Sequence, residues 1–255
     1  MSDPAPSSTV SAGRTLFRFR SFTPVPVIIA VGYLLYRTRG DPGPGGETVD
    51  ALLNVLGVAV ALLGQALRFY TLGLVPEGTS GQGNTLEASV LNTRGPYAHV
   101  RNPLYVGNLG IVLGLLLVAN SPWVYVIGLV FFFGEYFFII RAEENFLRQK
   151  FGAPYEEFLK KVPRWIPRIS AAYSGREGLR DRFDVLRAVK KEHNPFAAWA
   201  SAVVLLQLWE LYAREQLSTP QLVMLIGLEV IVVVLFVLAK GFKRGWLFRD
   251  RASAS

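Results

Sequence analysis

The chain has 255 residues, 51% of them hydrophobic, with a net charge of +8 and no cysteine. The missing cysteines remove disulfides, thiolate nucleophiles and thiolate-bound metals, and two histidines, His99 and His193, are too few for a histidine metal cluster. No basic and aromatic patch sits on a soluble domain, so the positive balance points away from nucleic acid and toward topology and attraction to anionic lipid.

Residues 1–12 are rich in Ser, Pro and Ala, a composition that favours disorder. Arg14, Arg18 and Arg20 then alternate with Leu16, Phe17 and Phe19, which suits a segment lying at a membrane surface. Apolar runs follow at 25–36, 51–75, 104–119, 123–140, 196–212 and 222–239. Most approach the roughly 20 residues that span about 30 Å of hydrocarbon. No small-residue cleavage site follows the first run, so it reads as an anchor. The expected fold is all-α: a polytopic membrane bundle of about six transmembrane helices.

With the N-terminus inside, residues 1–23, 76–103, 141–194 and 240–255 face the cytoplasm and hold 23 of the 27 Lys and Arg residues. That asymmetry obeys the positive-inside rule and puts both termini and the long polar loops in the cytoplasm. Residues 39–46 form an outward Gly/Pro turn cluster. Gly57, Ala61 and Gly64 permit close helix packing, and Gln65 is expected to bond between helices. Residues 78–84 are Gly-rich but lack the Gly-Lys-Ser/Thr ending of a phosphate loop, which leaves a connector. Neither strands nor a dinucleotide fingerprint can be read anywhere. Glu135 lies within an apolar run, where a carboxylate is costly unless paired or wet; it is either a structural partner or a cavity wall. Glu210 and Glu229 read as structural. Between Arg176 and Glu192 apolar residues recur at helical spacing among five basic ones, an amphipathic helix on the inner surface. The expected divisions are 1–23, 24–91, a core at 92–168, the interfacial helix at 169–194, and the last two spans with a basic tail at 195–255.

The core carries the most information. It opens with Gly95-Pro96-Tyr97-Ala98-His99-Val100-Arg101-Asn102-Pro103-Leu104-Tyr105 and passes through an apolar helical hairpin turned at Asn120-Ser121-Pro122. It closes with Arg141-Ala142-Glu143-Glu144, Phe151-Gly152-Ala153-Pro154-Tyr155 and Val162-Pro163-Arg164-Trp165-Ile166-Pro167. Two polar segments joined by one out-and-back helix pair must emerge on the same side of the membrane, where they can form one site.

In order and spacing, these elements resemble the isoprenylcysteine carboxyl methyltransferase and phospholipid methyltransferase group of integral membrane enzymes. The resemblance implies S-adenosylmethionine as cofactor, bound in a cytoplasmic pocket, and a lipophilic acceptor arriving from the bilayer. It implies cofactor contacts from Tyr97, His99, Arg101, Asn102, Pro103, Tyr105, Glu143, Glu144 and Arg164, with Glu144, Arg101 and Asn102 nearest the chemistry. The residue types suit that cofactor, with carboxylates for ribose hydroxyls or an ammonium, an arginine for a carboxylate tail, and aromatic faces for a sulfonium. The family's Arg-His-Pro is Arg101-Asn102-Pro103 here, and an amide can orient a ligand but cannot take a proton near neutral pH. Plainer roles also fit: Pro103 starts a helix, His99 is a hydrogen-bonded spacer, Glu143 and Glu144 pair with Arg141 or Arg148, Tyr155 packs, and Arg164 anchors lipid phosphate.

Two other readings compete. Membrane sterol and isoprenoid reductases that use NADPH carry a similar Arg-His-Pro-x-Tyr loop, but their Arg-Asp-Glu with a following Cys is absent. A non-enzymatic scaffold or transporter gives no reason for the ordered motifs, and no inverted repeat is evident.

Overall fold

The computed structural model describes residues 7–38, 43–76, 85–173 and 183–243. Among them are eight α-helices, one 3₁₀ turn and no strand. They are α1 (Ser8–Phe19), α2 (Pro24–Thr38), α3 (Gly46–Leu74), the turn Gly95–Ala98, α4 (Pro103–Ala119), α5 (Pro122–Phe151), α6 (Ala153–Lys161), α7 (Val185–Ala213) and α8 (Thr219–Lys243). The all-helical membrane bundle is therefore present. The Gly-rich 78–84 segment and residues 176–182 of the expected amphipathic helix lie outside the described residues.

Helices α3, α5, α7 and α8 are long and apolar enough to cross a membrane, and α1 with α2, bent by 72° at their junction, makes a fifth span if counted as one. The apolar runs predict six spans, and length explains the difference. α4 is an apolar helix but has 17 residues, about 26 Å at 1.5 Å per residue, against roughly 30 Å of hydrocarbon.

The most extensive packing in the bundle is between α3 and α4, and it is built around glycine. A Cβ on Gly57 would meet the Gly114 carbonyl oxygen at 2.6 Å, and one on Gly64 would meet that of Gly107 at 2.5 Å. The small residues at Gly57, Ala61 and Gly64 thus bring two backbones together, as close membrane packing requires. Trp199 of α7 seals this pair against Ala61 and Ile111.

The N-terminus departs from expectation. Residues 8–12 are helical, and α1 packs on α5: a Cβ on Gly13 would lie 2.1 Å from the Phe138 carbonyl oxygen, and Phe17 is 1% exposed. A glycine facing a backbone turns a surface-seeking basic helix into a packed one. At the α1–α2 bend Thr23 donates to Glu135, which settles that carboxylate as a structural partner. Glu210 pairs with Arg214 at 2.8 Å and Glu229 accepts from Ser201 at 2.8 Å, as expected.

The interfacial helix and the fifth apolar run are one element. α7 continues through Pro195, and on its polar first turns Glu192 and His193 are buried, Glu192 meeting Gln65 and Arg68 of α3. Asp184 caps it by accepting from the Arg187 N–H at 2.9 Å. At the far end of the bundle, Arg214 reaches the buried Asp50 at 2.6 Å, and Asn120 also donates to Asp50.

Candidate functional site

The two motif segments meet at one end of the helices. Gly95 adopts φ +57°, a conformation few other residues accept, and Pro96 with Tyr97 forms the 3₁₀ turn that aims the chain into α4. Residues 162–172 then run alongside this loop. Arg101 N–H donates to the Pro163 carbonyl at 2.8 Å, Arg168 N–H to His99 at 3.0 Å, and Ala172 N–H to Ala98 at 2.8 Å. Trp165 fixes the strap to α5 by packing on Phe132, Phe133 and Tyr136.

Glu144 is the pin. It is 5% exposed, its Oε1 accepts from Arg101 at 3.0 Å, and Arg164 reaches both its oxygens at 3.1 and 2.7 Å. One carboxylate on α5 thereby holds the loop on one side and the strap on the other. Glu143 has a different environment. Its Oε1 accepts from the Tyr105 hydroxyl at 2.7 Å. Neither glutamate pairs with Arg141 or Arg148: Arg148 pairs with Glu156, and Arg141 lies over the Phe137 ring.

Behind the loop lies a cavity of about 670 Å³, within the roughly 300–1,000 Å³ range of small-molecule sites. Tyr97, Arg101, Asn102, Tyr105, Glu143 and Glu144 line it, as do Arg68, Asn108 and Tyr136. Tyr97 is pushed well above the usual phenol range, chiefly by burial and then by the Glu143 charge, so it remains a protonated donor. Burial lowers Arg101, and Glu144 works against that shift. The Tyr155 hydroxyl is raised by burial and then by Glu144; the residue is 3% exposed, packed with Phe158 and Val162, and also touches the cavity.

Three expected contacts lie off the cavity wall. His99 is turned away from it, with Nδ1 2.8 Å from the Arg168 carbonyl oxygen, so it is a spacer that secures the strap. Pro103 is fully buried as the first residue of α4. Arg164 acts through Glu144 from outside the wall. Asn102 lines the cavity while its side-chain amide donates to the Arg164 carbonyl at 3.2 Å, a bond that suits Asn and needs no proton transfer.

A buried polar chain lies behind the site, and of it the sequence suggests only the interhelical role of Gln65. Trp199 Nε1 donates to Gln65 at 2.9 Å, and Gln65 donates to Glu192 at 2.6 Å. Arg68 grips Glu192 through Nε at 2.9 Å and Nη2 at 2.5 Å, and donates to Asn108, which donates to Tyr136 at 2.6 Å. Tyr136 packs on Tyr105 at 4.5 Å, which returns the chain to Glu143. The signal that could have found it is Arg68 itself, a charge in an apolar helix that needs an acidic partner.

The fit to a nucleoside sulfonium cofactor can be judged from the donors present. Arg101 Nε is buried without a hydrogen-bond partner, and carboxylates, phenols and side-chain amides share its cavity. A ligand with a carboxylate, hydroxyls and a cation satisfies that set.

The chain is 34% identical over 146 residues to the cobalt-zinc-cadmium resistance protein CzcN of Cupriavidus metallidurans, covering 57% of this chain and 62% of that protein. This chain therefore spans under two thirds of the length of the curated relative it matches. No solved structure matches. Residues 52–154, from α3 through the glutamate pair to the start of α6, match the phospholipid methyltransferase family, and it is to this family of membrane proteins that the segment belongs.

Proposed function

We propose that the protein is an integral membrane methyltransferase that uses S-adenosylmethionine on a lipophilic acceptor. The observation that carries this reading is the pinned meeting of the two motif segments. Glu144 with Arg101 and Arg164 closes a cavity whose remaining groups match the cofactor's chemistry.

When bound, S-adenosylmethionine supplies an electrophilic methyl on sulfur. Glu143 is the carboxylate for ribose hydroxyls or the ammonium, since Glu144 is committed to two guanidinium groups. Arg101, with its unpartnered Nε, is the group for the carboxylate tail. Tyr97, Tyr105 and Tyr136 offer aromatic faces to a cation. Asn102 holds the strap in place, and Glu144 is a positioning residue whose effect on the reaction passes through Arg101. Catalysis is then mostly orientation and exclusion of water in a pre-formed pocket. The site end of the helices is assigned to the cytoplasm from the lysine and arginine distribution.

The relative's name ties it to metal resistance. That role is said of the relative alone.

The test is transfer of tritiated methyl from S-adenosylmethionine to the organic-soluble fraction of bacterial membranes containing the protein. Label in lipid that falls at least tenfold in Glu143→Gln is expected. A well-folded protein that labels no lipid would overturn the proposal.

A further inference from the structure

The cavity extends past the matched segment. α7 supplies His193, Asn194, Lys190 and Lys191 to its wall, and α8 supplies Lys243, all outside residues 52–154. His193 is 8% exposed, and its Nδ1 is buried with no hydrogen-bond partner. Native proteins seldom leave such an atom unsatisfied except where a ligand or water supplies the bond.

The His193 ring lies 5.7 Å from that of Phe236 on α8. Phe236 lines a second cavity, of about 310 Å³, between α7 and α8, together with Ala197, Ala198, Ser201, Val232 and Val233. Asn194 lines both cavities. The polar cavity and an almost wholly apolar groove thus share Asn194 in their walls, and His193 in the first packs beside Phe236 in the second. From Asn194 to Ser201 the groove follows α7 toward the middle of the span for about 10 Å. Small side chains on α7 leave its room, and aliphatic ones on α8 wall it. In hydrocarbon surroundings an apolar space beside a polar one suits an amphiphile whose head and chain divide at the shared wall.

We propose that α7 and α8 form the chain-binding half of the acceptor site: one hydrocarbon chain of a bilayer lipid lies in this groove, and its polar head bonds His193 Nδ1 inside the cavity. The identity of that lipid as the methyl acceptor rests on the methyltransferase reading; the groove itself does not. The arrangement also accounts for the Arg68–Glu192 pair. It holds the first turns of α7, and so His193, against the matched core.

The test uses the full chain in detergent micelles with lysophosphatidylethanolamine carrying a diazirine in the middle of its acyl chain. Expected are photoadducts within 197–201 and 232–236 that excess unlabelled lipid competes away. They should fall at least tenfold in Ala198→Phe and Ser201→Phe, whose melting temperatures confirm folding. His193→Phe keeps a ring against Phe236 and removes the nitrogen; it should weaken the probe at least threefold. Adducts scattered over the outer faces of the helices, insensitive to competitor and to both groove variants, would overturn the proposal. So would chain-to-chain crosslinks through these residues, which would make the groove an interface. Titration of the same preparations with S-adenosylhomocysteine separates the two readings. Nucleoside binding with an unlabelled groove refutes only this inference, and a labelled groove without nucleoside binding refutes only the other.

Discussion

Replacing Glu144 by Gln removes one negative charge and leaves two guanidinium groups facing each other across an amide. The carboxylate's side chain is 7% exposed, Arg101's is 18% and Arg164's is 38%. Breaking a fully buried ion pair costs about 3–5 kcal/mol. Arg164 can turn partly to water, and Gln retains one acceptor, so a loss of about 2–3 kcal/mol is expected. For a chain of this size that corresponds to a melting temperature lowered by roughly 5–10 °C. The same change should release residues 162–172 from the loop, since the side-chain pin and three backbone hydrogen bonds hold one strap. Thermal unfolding in detergent measures the first effect, and amide hydrogen exchange across the strap measures the second. Glu143→Gln is the control, because it loses a cavity carboxylate bonded to a tyrosine and should keep the melting temperature within about 2 °C. If Glu144→Gln melts with the wild type and its strap stays protected, the assignment of Glu144 as the pin is wrong.

Glu192→Gln should destabilise by about 3 kcal/mol, because Arg68 then stays charged and buried without its bidentate partner; denaturation of the purified variant would reveal this. The double variant Arg68→Met with Glu192→Leu should recover most of that loss. Gly64→Leu should prevent folding of the bundle, as its side chain would enter the α4 backbone at Gly107; the readout is the monodisperse yield in detergent. Arg101→Lys should keep a charge near Glu144 but remove the Nε donor, weakening S-adenosylhomocysteine at least fivefold while the melting temperature changes little.

Much of this architecture is legible in the residues alone. Apolar length marks the helices, and the Asn120-Ser121-Pro122 turn forces α4 and α5 into a hairpin. That alone requires the motif loop and the glutamate pair to share one end. Gly57 and Gly64 announce a close crossing, and Gln65 announces a bond between helices. What cannot be read is which neighbour each polar residue chooses. Glu143 and Glu144 are adjacent in sequence, yet about 100° apart around α5. One meets two arginines and the other a tyrosine. The partner of Arg68 lies 124 residues away, so no local pattern reveals it. α1 reads as a surface segment because three arginines dominate its composition, whereas Gly13 and Phe17 decide its packing. The polar start of α7 reads as a surface helix because hydrophobic periodicity reports that a helix has two faces, not what covers the polar one.

The most direct test of the methyltransferase reading is calorimetric titration of the detergent-purified protein with S-adenosylhomocysteine, with NADPH as the parallel titrant. Saturable binding of S-adenosylhomocysteine at one site per chain is expected, weakened at least tenfold in Glu143→Gln, with no heat from NADPH. Binding of NADPH alone, or silence with both ligands in a protein shown to be folded, would contradict it.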